Sequence, residues 1–337
     1  MAHGQHNALV AHYRTVLGID EAGLGPILGP LTVGYAAFSL PQALTPGGVL
    51  ALDMWDALQL GREPIERKKR PVVCDSKKLY SPAKGVRALE EELLAWCALA
   101  GHNVADFANF REGLTPLARE KPETYDWYKA PPEPFPLEAG SERAVLRGQA
   151  IARALDNAGY ALAELGCAPI FEGELNRLIN SAGNKSRAEF EVIARIIGPM
   201  WERHRQLAVV CDRQGGRTRY GRTLAGQFPE ARIEVFAEEK AISTYELTIP
   251  EVEGCPRMFI AFMEKGDSKH LPIALASMAA KYMRELTMHQ FNAWFHTYDA
   301  GIKPTAGYYQ DGKRWLHDTS DLRRRIGVTD EKLLRKK

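Results

Sequence analysis

Gly18-Ile19-Asp20-Glu21-Ala22-Gly23-Leu24-Gly25-Pro26 follows directly on the apolar run Thr15-Val16-Leu17. A short hydrophobic strand gives way here to a turn rich in glycine and proline, with two adjacent carboxylates at the junction. Loops at the ends of buried strands are where sites are commonly built. Paired carboxylates with no basic neighbour suit a hard, oxygen-preferring ion such as Mg²⁺ or Mn²⁺; a solvated strand end is the alternative. On a regular strand Asp20 and Glu21 point to opposite faces. Both reach one cluster only if the strand ends or bulges between them.

Outward from this junction, residues 31–39 read as a second strand, joined to the first by the tight turn. The run Leu207-Ala208-Val209-Val210-Cys211 reads as a buried strand that again ends in a carboxylate, Asp212. Residues 231–237 and 257–263 are further strand candidates. Helical spacing appears over 85–100 (Leu89, Leu93 and Leu94 on one face), 143–165 and 187–201, and most strongly over 273–295. Strands at both ends with helices between predict an α/β fold with a mixed central sheet flanked by helices. Within the last helix Ser277, Lys281 and Glu285 share a face at i, i+4 and i+8. Asp20, Glu21, Asp212 and Glu285, from three elements and with no soft ligand nearby, have the composition of a two-metal phosphodiester site. For Lys281 and Glu285 the alternative is an ordinary ion pair worth about 0.2–0.5 kcal/mol.

The 337 residues suffice for one large domain or two small ones. With a net charge of +2 there is no overall basic field, so a nucleic-acid partner has to be met by a local patch. Basic residues do cluster, at Arg67-Lys68-Lys69-Arg70, Lys77-Lys78 and Arg323-Arg324-Arg325. The five cysteines are widely spaced, with no C-x-x-C pair, which argues against a disulfide framework or zinc site. No apolar run reaches membrane-spanning length and no signal-peptide pattern is visible, so a cytoplasmic protein without membrane partners is expected. Residues 1–14 read as an extension, 15–318 as one domain, and 319–337 as a loosely held basic tail. Residues 106–142 read as an insertion: four prolines (131, 132, 134, 136) interleave with Tyr125, Trp127, Tyr128 and Phe135, which are expected to tack it down.

Five blocks occur in order along the chain: Asp20-Glu21-Ala22-Gly-x-Gly-Pro; Cys74-Asp75-Ser76-Lys77-Lys78-Leu79; Val210-Cys211-Asp212; Lys265-Gly266-Asp267-Ser268-Lys269; and Ile273-Ala274-x-Ala276-Ser277-x-x-Ala280-Lys281. Together they resemble the type 2 ribonuclease H family over residues 15 to about 316. The resemblance implies an RNase H-like fold whose four acids bind two Mg²⁺ or Mn²⁺ ions. It implies hydrolysis of the RNA strand of RNA–DNA hybrids, and of ribonucleotides embedded in duplex DNA, leaving 3′-hydroxyl and 5′-phosphate ends.

Carried over residue by residue, Asp20, Glu21 and Asp212 match three of the four acids. The fourth, an aspartate in the family, falls on Glu285, where an extra methylene moves the carboxylate by roughly an ångström, a displacement that can cost about a hundredfold in rate. Asp267 falls outside that quartet, as a turn-forming residue, a partner for Lys281 or a reserve ligand. The usual Gly-Arg-Gly turn is Gly23-Leu24-Gly25 here, so the glycines keep their close approach while the arginine linked to reading the 2′-hydroxyl is gone. Ser76, Lys77 and Lys78 are suited to phosphate positioning. Tyr308, after Gly307, matches a ring that packs against sugar, with a core tyrosine as the alternative. The chain is expected to be monomeric. A catalytically impaired hybrid-binding protein on the same fold, and a type 3 RNase H-like enzyme without junction preference, remain open alternatives.

Overall fold

The computed structural model describes residues 13–336; the expected extension at 1–14 falls almost entirely outside them. Seven strands form one sheet in the order β3-β2-β1-β4-β7-β6-β5. They are β1 (Tyr13–Ala22), β2 (Leu31–Leu44), β3 (Ala161–Ile170), β4 (Gln206–Asp212), β5 (Arg232–Glu238), β6 (Ile242–Thr248) and β7 (Arg257–Met263). β1 runs parallel to β4, and β4 to β7, while the remaining neighbours are antiparallel. The helices of ten or more residues are α1 (Arg87–Leu99), α2 (Ser141–Ala158), α3 (Glu172–Ala182), α4 (Lys185–His204), α5 (Leu271–His296) and α6 (Tyr309–Asp318). The expected mixed sheet flanked by helices is what the chain forms.

Two apolar cores lie on opposite faces of the sheet. Alternation along β1 decides which residue goes where: Val16 joins the core under α1 and α5, while Leu17 and Ile19 join the core under α4. The 26-residue α5 lies hard against β1 and β2 because two strand glycines let it in. A Cβ at Gly18 would fall 2.1 Å from the Pro272 carbonyl carbon, and one at Gly34 would fall 2.0 Å from the Ala276 oxygen. That close approach brings Ser277 to the acidic end of β1.

Three expectations change. The helix predicted over 143–165 stops at Ala158, with Gly159 at φ 71°, and residues from 161 form β3. Ala161-Leu162-Ala163-Glu164-Leu165 has a helical composition, but pairing with β2 overrides it. The insertion carries one regular helix, Phe107–Leu114, before its proline-rich part, and Tyr125, Trp127 and Tyr128 bury against Phe171, Phe291, Phe295 and Trp315. The segment from 319 is not loose. Residues Ser320–Arg325 are helical, Leu333 is fully buried, and Arg323 is buried and paired with Asp330. Among the described residues no helix is long and apolar enough to cross a membrane.

Candidate active site

The parallel strands β1 and β4 end side by side, Ile19 facing Cys211, so Asp20 and Asp212 come out at the same edge of the sheet. β7 pairs with β4 up to Asp212, and the chain then turns through Gly266–Ser268, whose Gly266 N–H donates to Asp212 Oδ1 at 2.7 Å. Asp267 lies in that turn. Asp20 takes the α5 side, where Ser277 bonds it, and its Oδ1 also accepts the Glu21 N–H at 2.8 Å.

β1 continues through Glu21, which pairs in register with Val33, so the strand does not break between the two acids. Glu21 takes the opposite side, toward α4, yet Asp212 acts on both carboxylates. Burial, then the neighbouring charges of Glu21 and Asp212, raise the Asp20 carboxyl well above the usual range. Burial, then Glu189 and Asp212, push Glu21 up to about 8. Asp212 is raised chiefly by burial, and Asp267 by burial together with Asp75 and Asp212. Lys77 is exposed and draws Glu21, Asp212 and Asp267 back down.

Two acids have surroundings that the sequence reading did not anticipate. Glu285 does share its helix face with Ser277 and Lys281, but its oxygens are taken up by Lys281 Nζ at 2.5 Å and the Tyr80 hydroxyl at 2.6 Å. It is not among the charges acting most strongly on Asp20, Glu21 or Asp212. Asp267, expected outside the quartet, lies in the turn whose Gly266 N–H bonds Asp212, and the charge of Asp212 raises it. Glu189 on α4, which the sequence did not single out, is fully buried beside Glu21 and Asp20. Neither of its oxygens makes a well-formed hydrogen bond. Burial pushes it up to about 7, with Asp20 acting in the same direction and Gln214, Arg217 and Lys185 against it. A glutamate on an amphipathic helix reads as surface, so only the fold exposes its position.

The basic block also divides. Lys77 faces the acids, whereas Lys78 pairs with Glu63. Ser76 is buried, 3.1 Å from the Ser277 hydroxyl, and so ties the start of Ser76–Leu79 to the helix that holds Asp20. In the glycine turn, Gly23 has φ 86°, and a Cβ there would strike Arg284 Nε at 2.2 Å and the Pro30 oxygen at 2.8 Å. Gly25 is exposed with open space around it, so the close approach expected of both glycines is required within the protein only at Gly23. Leu24 packs its side chain against the core under α4. Tyr308 is half exposed, with the Arg284 guanidinium 5.8 Å from its ring centre, which rules out the core-tyrosine alternative. It adjoins the turn because the Gly307 carbonyl accepts from the Ile27 N–H at 2.8 Å.

Among Asp20, Glu21, Asp212 and Asp267, none forms an ion pair with a lysine or arginine of the described residues. Like charges gathered without a cation are costly unless something positive binds. An all-carboxylate donor set suits a hard divalent ion. Among the described residues, however, no three His, Cys, Asp or Glu groups are drawn close enough to hold an ion as they stand. The chemistry of the donors fits a hard divalent ion; their spacing as they stand does not.

No family model and no curated protein sequence matches the chain. Solved structures do. The RNase HII of the PCNA:RNase HII complex from Archaeoglobus fulgidus aligns at 14% identity over 96% of this chain and 97% of that one, with a TM-score of 0.39. Bst-RNase HIII in complex with Mn²⁺ aligns at 14% identity over 98% of this chain and 70% of that one, with a TM-score of 0.38. The ribonuclease H2 from Pyrococcus horikoshii OT3 aligns at 13% identity over 95% and 92%, with a TM-score of 0.34. The chain is thus similar to solved ribonucleases HII and HIII over most of its length, at values too low to assign chemistry.

Proposed function

We propose that this protein is a divalent-metal-dependent endoribonuclease of the type 2 ribonuclease H kind. It acts, as a monomer, on RNA–DNA hybrids and on ribonucleotides embedded in duplex DNA. The observation that carries the reading is the gathering of Asp20, Glu21, Asp212 and Asp267 at one sheet end with no ion pair to a lysine or arginine of the described residues, only the exposed Lys77 and, at Asp212, Arg213 acting against their charge. The order of motifs along the chain supports the same class.

In this proposal Asp20, Glu21, Asp212 and Asp267 hold Mg²⁺ or Mn²⁺, with Glu285 outside the set. When bound, such ions activate a water for in-line attack and stabilise the leaving oxygen. Ser277 orients Asp20, and the Gly266 N–H orients Asp212. Lys77 meets a phosphate as an exposed point charge, without reading sequence. The Gly23-Leu24-Gly25 turn directly follows Asp20 and Glu21 on the chain, Tyr308 adjoins that turn, and both suit contact with a sugar and its 2′-hydroxyl, the group that distinguishes RNA from DNA.

Cleavage of two labelled duplexes, a full hybrid and a DNA duplex with one ribonucleotide, tests this in Mg²⁺, Mn²⁺ and chelator. Metal-dependent cutting of at least one, lost in D212N, is expected. Binding of both without cutting, in every metal, would favour the hybrid-binding alternative.

A further inference from the structure

The turn from Gly23 to Gly29 is tied from behind by a side chain that lies more than 300 positions away in the sequence. Arg335 follows the short helix Asp330–Leu333 and is buried. Its backbone N–H donates to the Ile27 carbonyl at 3.0 Å. Its Nη1 donates to the Gly23 carbonyl at 2.5 Å and the Gly29 carbonyl at 3.3 Å, and its Nη2 donates to the Leu24 carbonyl at 3.0 Å. Buried carbonyls left without donors are costly. A guanidinium, with five donors in a fixed planar fork, satisfies three of them at once; an ammonium is a compact point of charge without that fork.

Other groups brace the same turn. Glu172, at the start of α3, accepts from the Gly29 N–H at 3.1 Å and from the Tyr128 hydroxyl at 2.7 Å. Arg284 donates to the Leu28 and Ala306 carbonyls. The carbonyls of Gly23, Leu24, Ile27, Leu28 and Gly29 are thus taken up inside the protein. The N–H groups of Leu24 and Gly25, by contrast, find no acceptor among the described residues, and Gly25 is exposed. Burial lowers Arg335 to about 10, with Arg284 acting in the same direction and Glu172 against it, so it stays cationic at neutral pH.

We propose that Arg335 is a positioning residue for the glycine turn, holding its carbonyls inward so that the Leu24 and Gly25 N–H groups are presented to the nucleic acid. The contacts stand on geometry alone, while their consequence for substrate rests on the nuclease reading. The turn thus has a guanidinium bonded behind it and the apolar Leu24 side chain tucked beneath it.

The test pairs hydrogen exchange with steady-state kinetics on wild type, R335A and R335K. In R335A, exchange over residues 22–30 is expected to rise while β4 and β7 keep their protection, which separates loosening from unfolding. KM for the hybrid is expected to rise about tenfold or more, with kcat changed less than about twofold, and R335K to fall between. Unchanged exchange over 22–30 overturns the proposal, as does a loosened turn with KM unmoved. A wild-type protein that neither binds nor cuts a hybrid, with the turn still loosened in R335A, upholds the brace and sinks the nuclease reading instead.

Discussion

The three glutamates of α1 and the acids at the end of the sheet are built in opposite ways. Glu90, Glu91 and Glu92 follow one another on α1, and every one is satisfied. Glu90 accepts the backbone N–H groups of Leu137, Glu138 and Ala139, each at 2.7 Å, and the Tyr282 hydroxyl. Glu91 pairs with Arg67 and Arg143. Glu92 pairs with Arg67 and Arg147 and accepts the Val72 N–H at 2.9 Å. These acids fasten the insertion and the 61–73 loop to the body. At the end of the sheet, Asp20, Glu21, Asp212, Asp267 and Glu189 have no such ion pairs. Burial of charge with its partners supplied is structure; burial of charge without them leaves a group waiting for a cation.

The contrast is sharpest under mutation. D212N is expected to lower metal-dependent cleavage on the order of a thousandfold, the scale of losing a preorganised electrostatic group. In chelator the same variant should melt above wild type, because one of several repelling charges has gone. A fall in its melting temperature would place Asp212 in the structural class instead. E92A should do the reverse. It leaves Arg147 and part of Arg67 unpaired, and a loss of about 3–5 kcal/mol is expected by denaturant titration, with kcat unchanged in the folded fraction. Little loss of stability would erase the distinction drawn between the two groups.

A smaller effect lies in the pH dependence of stability. Glu21 is held up to about 8, and Glu189 and Glu172 to about 7, in each case chiefly by burial, against an ordinary glutamate value of 4.5. Between these limits the native protein holds more protons than the unfolded chain. In chelator its stability is therefore highest below about pH 4.5, as far as these groups are concerned, and falls as pH rises through about 8. Mg²⁺ or Mn²⁺ should flatten that fall, since the metal takes the place of the protons. Thermal melts from pH 5 to 9, with and without metal, read this directly; equal slopes in both series would contradict it.

The sequence showed the parts of the site that depend on local pattern. An apolar run ending in a carboxylate identified both β1 with Asp20 and Glu21 and β4 with Asp212, and the long helix with Ser277 was plain from its periodicity. What it hid depends on distant partners. Ala161–Ile170 has helix-forming residues at its start and becomes a strand only because β2 offers it an edge. Glu285 shares a face with Ser277, yet Lys281 and Tyr80 occupy it. Asp267 reaches the site because β7 runs alongside β4, a pairing no spacing rule displays. Glu189 and Arg335 carry no motif, and their roles come from what is buried around them.

The most direct measurement is cleavage of an RNA–DNA hybrid in Mn²⁺ by wild type, D267N and E285Q side by side. Wild type should cut the RNA strand, D267N should lose activity as D212N does, and E285Q should stay within about tenfold of wild type, as expected for a neighbour that only supports the site. An inactive E285Q beside an active D267N would restore the helix acid to the quartet. A wild type that does not cut at all would contradict the nuclease assignment itself.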